Sequence, residues 1–221
     1  MRFSVAEFLA ALVLLLVTSP FIERTKDGKF IEAVLVTLVL LSAVQAIGAS
    51  RRTLAWAIVL VVPALAGRWA HHAWPDMVPP EAALLAALLF ILFVVLHLFV
   101  FILRAPRVNS EVLCAGIATY LMLGLLWAFA YTLVARLVPG AFVHYTGDTV
   151  GDSMVGFTSL YFSFVTLSTV GYGDIMPAAP AARLLAIVEA TAGMLYVTVL
   201  IARLVALYSK EKTEDEKGHQ T

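Results

Sequence analysis

Residues Thr166 to Asp174 read TLSTVGYGD, a polar, glycine-rich stretch held between hydrophobic blocks. The apolar run just before it, Met154 to Leu167, falls short of the roughly 20 residues a helix needs to cross a bilayer. The run after it, Ala181 to Tyr208, is long enough. Non-helical backbone in hydrocarbon leaves N–H and C=O groups unpaired at a cost of several kcal/mol each, so it survives only inside protein or along a water-filled cavity. The spacing therefore predicts a short re-entrant helix, capped at its start by Asp152 or Ser153, that returns through irregular backbone. Thr169 to Gly173 must line something.

Working outward, the 221-residue chain is 62% hydrophobic and 14% charged, against about 45–50% apolar residues in a soluble domain. This is the composition of an integral membrane protein. The formal net charge is zero, and the charges are dispersed, so no basic face for nucleic acid is present; the partner that composition calls for is the lipid bilayer. The single cysteine, Cys114, excludes a disulfide framework and a cysteine-based zinc cluster and reads as a core residue.

Six stretches are expected to span: Val5 to Ile22, Phe30 to Gly48, Leu54 to Trp69, Glu81 to Leu103, Glu111 to Leu137 and Ala181 to Tyr208. The third is short and carries Pro63 and Arg68, the latter suited to snorkel to the headgroups. His71 and His72 are placed in an interfacial loop. The first span is read as retained, since Thr18, Ser19 and Pro20 follow its apolar run in place of a small-residue cleavage site. Six spans put both termini on one side. The modest excess of Arg and Lys on that side, including Arg51, Arg52, Arg104, Arg107, Arg203 and Lys210, makes it cytoplasmic, as in a multi-pass plasma-membrane protein.

Gly171 and Gly173 lack Cβ and can adopt positive φ, which lets successive carbonyls turn toward one axis. One chain supplies one wall of such a cage, so the arrangement calls for rotational symmetry. With these residues in view, TLSTVGYGD resembles the signature of the tetrameric potassium channels, of the six-span type with one pore loop per subunit. The resemblance covers about residues 124–208. It implies an all-α membrane protein of six transmembrane helices with a re-entrant pore helix and selectivity-filter loop between helices 5 and 6. It divides the chain into a four-helix domain over 1–107, a pore domain over 108–209 and a short cytoplasmic tail over 210–221. It implies K⁺ sites at the carbonyls of Thr169, Val170, Gly171 and Tyr172, with Gly173 closing the turn and Asp174 at the outer mouth. No cofactor beyond permeant K⁺ is expected, and the assembly is a homotetramer. Tyr161 and Phe162 match the pore-helix aromatics that support the filter tyrosine, with Thr166 and Ser168 also in the supporting set. Gly193, twenty residues beyond Gly173, matches the inner-helix hinge.

Below Gly193, helical spacing places Val197, Ile201 and Leu204 near one face, either along the inner pore wall or against lipid. Glu189, deep in the last span, has two readings, an acid facing the cavity or a brace hydrogen-bonded to the pore helix through Ser163 or Thr166. The fourth span departs from voltage-gated relatives. Its body holds no Arg or Lys, with Arg104 and Arg107 only at its end, and gating charge requires several. The expected activity is passive K⁺ conduction without steep voltage dependence. A non-conducting subunit would have no need of the threonine and both glycines, and an uptake transporter of pore-loop repeats would carry several motifs where this chain has one. No set of residues supports an enzyme.

Overall fold

The computed structural model describes residues 2–22, 28–47, 51–73, 79–145 and 154–218. Four long helices come first: α1 (Arg2–Ile22), α2 (Gly28–Ile47), α3 (Arg51–Ala73) and α4 (Pro80–Arg104). They are followed by α5 (Ser110–Leu137), strand β1 (Phe142–His144), the short helix α6 (Gly156–Leu167), strand β2 (Ile175–Pro177) and α7 (Pro180–Gly218). Six of these helices are long and apolar enough to cross a membrane, all but α6. The chain is an all-α, multi-pass membrane protein, with one two-stranded antiparallel ribbon as its only sheet among the described residues.

The helices form where the apolar runs are and extend past them by the polar residues that flank each run. α3 shows this most clearly, starting at Arg51 and running through Pro63 to Ala73. His71 and His72 thus lie in its last turn and not in a loop. Arg68 does not simply snorkel: its guanidinium meets the Glu32 carboxylate of α2 at 3.5 Å. The next residue, Trp69, donates its indole N–H to the Thr37 hydroxyl at 3.2 Å, so α2 and α3 are pinned by polar contacts at one end. Pro79 and Pro80 start α4 where a missing N–H costs nothing, and Asn109 caps α5 by accepting from the Val112 N–H at 2.9 Å.

α5 is the centre of the molecule. It packs against α1 and α4 on one side and against α6 and α7 on the other. The main core lies between α1, α2, α4 and α5, where Phe8, Leu12, Leu40, Phe90, Ile91 and Met122 are almost wholly buried, and it reaches Leu160 and Leu167 of α6. A second cluster, around Tyr131, Phe142, Met154 and Phe162, closes the end of α5 over α6 and the strands. A third joins Val5, Ile102, Ala105, Val112 and Ala115 at the opposite end. Outward-facing residues such as Leu14, Val17, Leu38, Val59, Leu89 and Leu96 are exposed and apolar, as a surface solvated by lipid tails requires.

The segment 105–109 that joins α4 to α5 is short, and α4 lies directly along its own α5. From the far end of the chain, the Arg203 guanidinium of α7 donates to the Ala105 carbonyl at 2.9 Å. α7 itself buries one narrow stripe, Ala182, Glu189, Gly193, Tyr196 and Leu207, and leaves Leu184, Ile187, Met194, Leu195, Ile201 and Val205 uncovered.

Candidate functional site: the glycine loop and its supports

α6 is a twelve-residue helix whose N-cap is Val155, with no side-chain cap. The expected caps, Asp152 and Ser153, lie outside the described residues. At its other end the chain reverses tightly. The Thr169 N–H donates to the Thr166 carbonyl at 2.9 Å, and the N–H groups of Val170 and Gly171 donate to the Val165 carbonyl at 3.0 and 3.3 Å. The Ser168 hydroxyl donates to the Phe164 carbonyl at 2.6 Å. The first donors of the loop are thereby used up inside it.

Its acceptors are not. Among the described residues no hydrogen bond ends on the carbonyls of Thr169, Val170, Gly171 or Tyr172. The backbone explains how they are presented. φ is +59° at Thr169, +57° at Gly171 and +79° at Gly173, whereas Val170 and Tyr172 are not in the positive region. Positive φ at every second residue is a backbone alternation that can turn successive peptide planes the same way and gather carbonyls on one side of the strand. Two of the left-handed places are taken by glycine, for which they cost nothing. Thr169 is the only non-glycine residue with positive φ among the described residues, and such a conformation in a β-branched residue stores about 1–3 kcal/mol.

The exit of the loop is anchored as firmly as its entry. The Asp174 carbonyl accepts from the Tyr145 N–H at 2.9 Å, after which β2 pairs with β1 in the register His144↔Ile175, Val143↔Met176, Phe142↔Pro177. The Tyr161 hydroxyl donates to the Asp174 carboxylate at 2.7 Å, and its ring lies parallel to that of Tyr172 at 6.5 Å. Accepting that bond, Asp174 pushes the Tyr161 phenol up to about 12, with partial desolvation adding to the effect.

Phe162, expected beside Tyr172, points the other way. It packs edge to face on Tyr131 at 4.8 Å and on Phe142 at 5.5 Å, and Tyr131 and Phe142 meet at 5.6 Å. The reason is helical: Tyr161 and Phe162 are about 100° apart on α6, so one faces the loop and its neighbour faces α5. Thr166, four residues after Phe162, sits on the same side of α6, near Tyr131.

Behind α6, Glu189 is fully buried. The Tyr131 hydroxyl donates to its Oε2, and its Oε1 lies 2.5 Å from the Ser163 hydroxyl oxygen. Ser163 in turn lies 2.7 Å from the Gly124 carbonyl of α5. Glu189 thus faces α6 and α5. Gly193, one turn further along, sits against the end of α6, where a Cβ would overlap the Leu167 carbonyl oxygen. α7 is helical without interruption through this point. Val197 and Ile201 are exposed, and Leu204, on the same face of the helix, is half-buried against the cluster of Val5, Ile102 and Ala105. The i, i+4, i+7 set thus stays on one face, with its lowest member covered where α7 meets the α4–α5 junction.

Tyr131, Gly124 and Phe142 escaped the sequence reading as site residues. Gly124 and Tyr131 are seven apart on α5 and therefore share a face, a signal that becomes specific only once Glu189 is known to meet it. Among the described residues no group of three His, Cys, Asp or Glu side chains could hold a metal ion.

Residues 119–210 match the family model described as an ion channel. Among curated proteins, the two pore potassium channel c of Oryza sativa subsp. japonica is 42% identical over 81 residues, 36% of this chain and 16% of the relative. The two-pore potassium channel 1 of Arabidopsis thaliana is 39% identical over 98 residues, 44% of this chain and 23% of the relative. The aligned stretch is thus less than a quarter of either relative's length. No solved structure matches. From α5 to α7, then, the chain matches an ion-channel domain and is similar to part of the plant potassium channels.

Proposed function

We propose that the protein is a potassium-selective channel that conducts K⁺ passively as a homotetramer. One observation carries the reading: the alternating backbone of Thr169 to Gly173, with φ near +60° to +80° at every second residue, beside four carbonyls that no protein donor satisfies. Four copies around an axis would bring these oxygens into stacked rings that replace the hydration shell of K⁺. Thr169, Val170, Gly171 and Tyr172 supply those rings, the Thr169 hydroxyl closes the innermost one, Gly173 turns the chain and Asp174 lines the outer mouth. α6 is then the re-entrant pore helix, α5 the outer helix and α7 the inner helix, making 108–209 the pore domain. The uncovered apolar surface of α7 supports assembly, because a face shared between neighbouring copies and an inner cavity leaves little of it for lipid. Val197 and Ile201 line the cavity below Gly193.

Residues 1–107 form a four-helix domain that is not a strong voltage sensor, since α4 carries no basic residue in its body. Both termini are cytoplasmic, with 210–221 as the tail, in the plasma membrane. The test is current through purified protein in planar bilayers under opposed K⁺ and Na⁺ gradients, recorded over a range of voltages. Reversal close to the K⁺ potential, with conductance changing only shallowly with voltage, is expected. Reversal near the Na⁺ potential, or no current in any condition, refutes the reading.

A further inference from the structure

Glu189 is the one acidic residue in the membrane-length part of α7, and it is wholly buried. The groups that face it are Tyr131 and, further off, Tyr120 from α5, and Ser163 from α6. No basic side chain pairs with it among the described residues, where Arg68 and Glu32 form the ion pair present. An ionised carboxylate in such a place lacks the cation that would compensate its loss of water.

Counting hydrogens decides its state. The contacts run in a chain from the Tyr131 hydroxyl to Glu189 Oε2, from Glu189 Oε1 to Ser163 Oγ at 2.5 Å, and from Ser163 Oγ to the Gly124 carbonyl at 2.7 Å. Each of the three needs a proton between its oxygens. The chain ends on a backbone carbonyl, which has none to give, and each hydroxyl supplies one. A carboxylate is acceptor-only, so with Glu189 ionised one pair of buried oxygens would face each other bare.

We infer that Glu189 is a neutral carboxylic acid that acts as a positioning residue for the glycine loop. Its Oε1–H donates to Ser163, Ser163 donates to the Gly124 carbonyl, and Tyr131 donates to Oε2. The acid proton completes a continuous link from α5 through α7 to α6, four residues before the last residue of α6. The positioning role rests on the proposal that this loop is the selectivity filter; the protonation state does not.

Infrared spectroscopy of the full-length protein in lipid vesicles tests the state directly. The wild type is expected to show the C=O stretch of a neutral carboxylic acid that is missing from Glu189→Gln. In Tyr131→Phe the band should persist but move to higher frequency, because the carbonyl has lost its donor. Absence of any Glu189-dependent acid band overturns the inference, even if the protein conducts K⁺. A band present in protein that passes no K⁺ current leaves the acid in place and defeats the channel reading instead. For the positioning role, Gln can donate to Ser163 and accept from Tyr131, so K⁺/Na⁺ permeability ratio should stay within about twofold of wild type, whereas Glu189→Ala should lower it about tenfold or more by stranding both hydroxyls. A Gln variant as impaired as the Ala variant overturns that role.

Discussion

Thr169 and Tyr161 show how much of the site is a matter of single residues. Thr169 adopts a φ that a β-branched side chain rarely takes, and it persists because Thr169, Val170 and Gly171 all donate back into the end of α6. Tyr161 holds the other end through Asp174. That bond exists only in the folded protein, and it pushes the phenol up to about 12 from the usual 10. Its contribution to stability is present below about pH 10 and is lost as pH rises through about 12. Tyr161 is little buried, so the contribution is small, and the measurement is best made on the group itself. Tyrosinate absorbance of wild type minus Tyr161→Phe should show one residue ionising well above the ordinary tyrosine range, and ionisation at the ordinary value would refute the bond. The motif was legible in the sequence because it is contiguous. Phe162 was misread because adjacent residues on a helix face different neighbours, which spacing within the motif cannot reveal.

Helix against helix, three glycines mark the seams among α5, α6 and α7. A Cβ at Gly116 would touch Leu200, one at Gly124 would enter the Phe164 ring, and one at Gly193 would overlap the backbone oxygen of Leu167. Overpacking of this kind costs about 1–3 kcal/mol, but the three are not equivalent. Phe164 can be trimmed, whereas a carbonyl cannot. Gly193→Ala and Gly124→Ala should both lower the thermal unfolding midpoint in detergent. Adding Phe164→Leu should restore much of the Gly124 loss, and adding Leu167→Ala should restore little of the Gly193 loss. Equal rescue at both sites would show that Gly193 is not held by the backbone. The six spans were legible from apolar length alone. The ribbon of β1 and β2 was not, because two three-residue strands about thirty residues apart carry no periodic pattern, and the polar contacts of α3 depend on which helix lies beside it.

As a whole, the molecule is a four-helix bundle and a pore-like half that share α5 as a common wall. With only residues 105–109 between α4 and α5, each bundle packs on its own subunit's α5. The chain therefore completes most of its core by itself, and the spans it covers least are α3 and α7. Light scattering of the purified protein, corrected for detergent, should give four times the 23.9 kDa chain mass; a monomer or dimer under conditions that preserve K⁺ flux would rule out the tetramer. The role of the first four helices was illegible, since their sequence fixes that they cross but carries no charge pattern that says what they respond to.

The Leu167 carbonyl touches α7 at Gly193, two residues before the strained Thr169, while the lower part of α7 is tied at Arg203 to the Ala105 carbonyl. α7 is thus held at two heights, at the end of α6 through Gly193 and at the α4–α5 junction through Arg203. Because α7 is helical without interruption between them, the contact beside the glycine loop and the contact at the α4–α5 junction lie on one continuous rod.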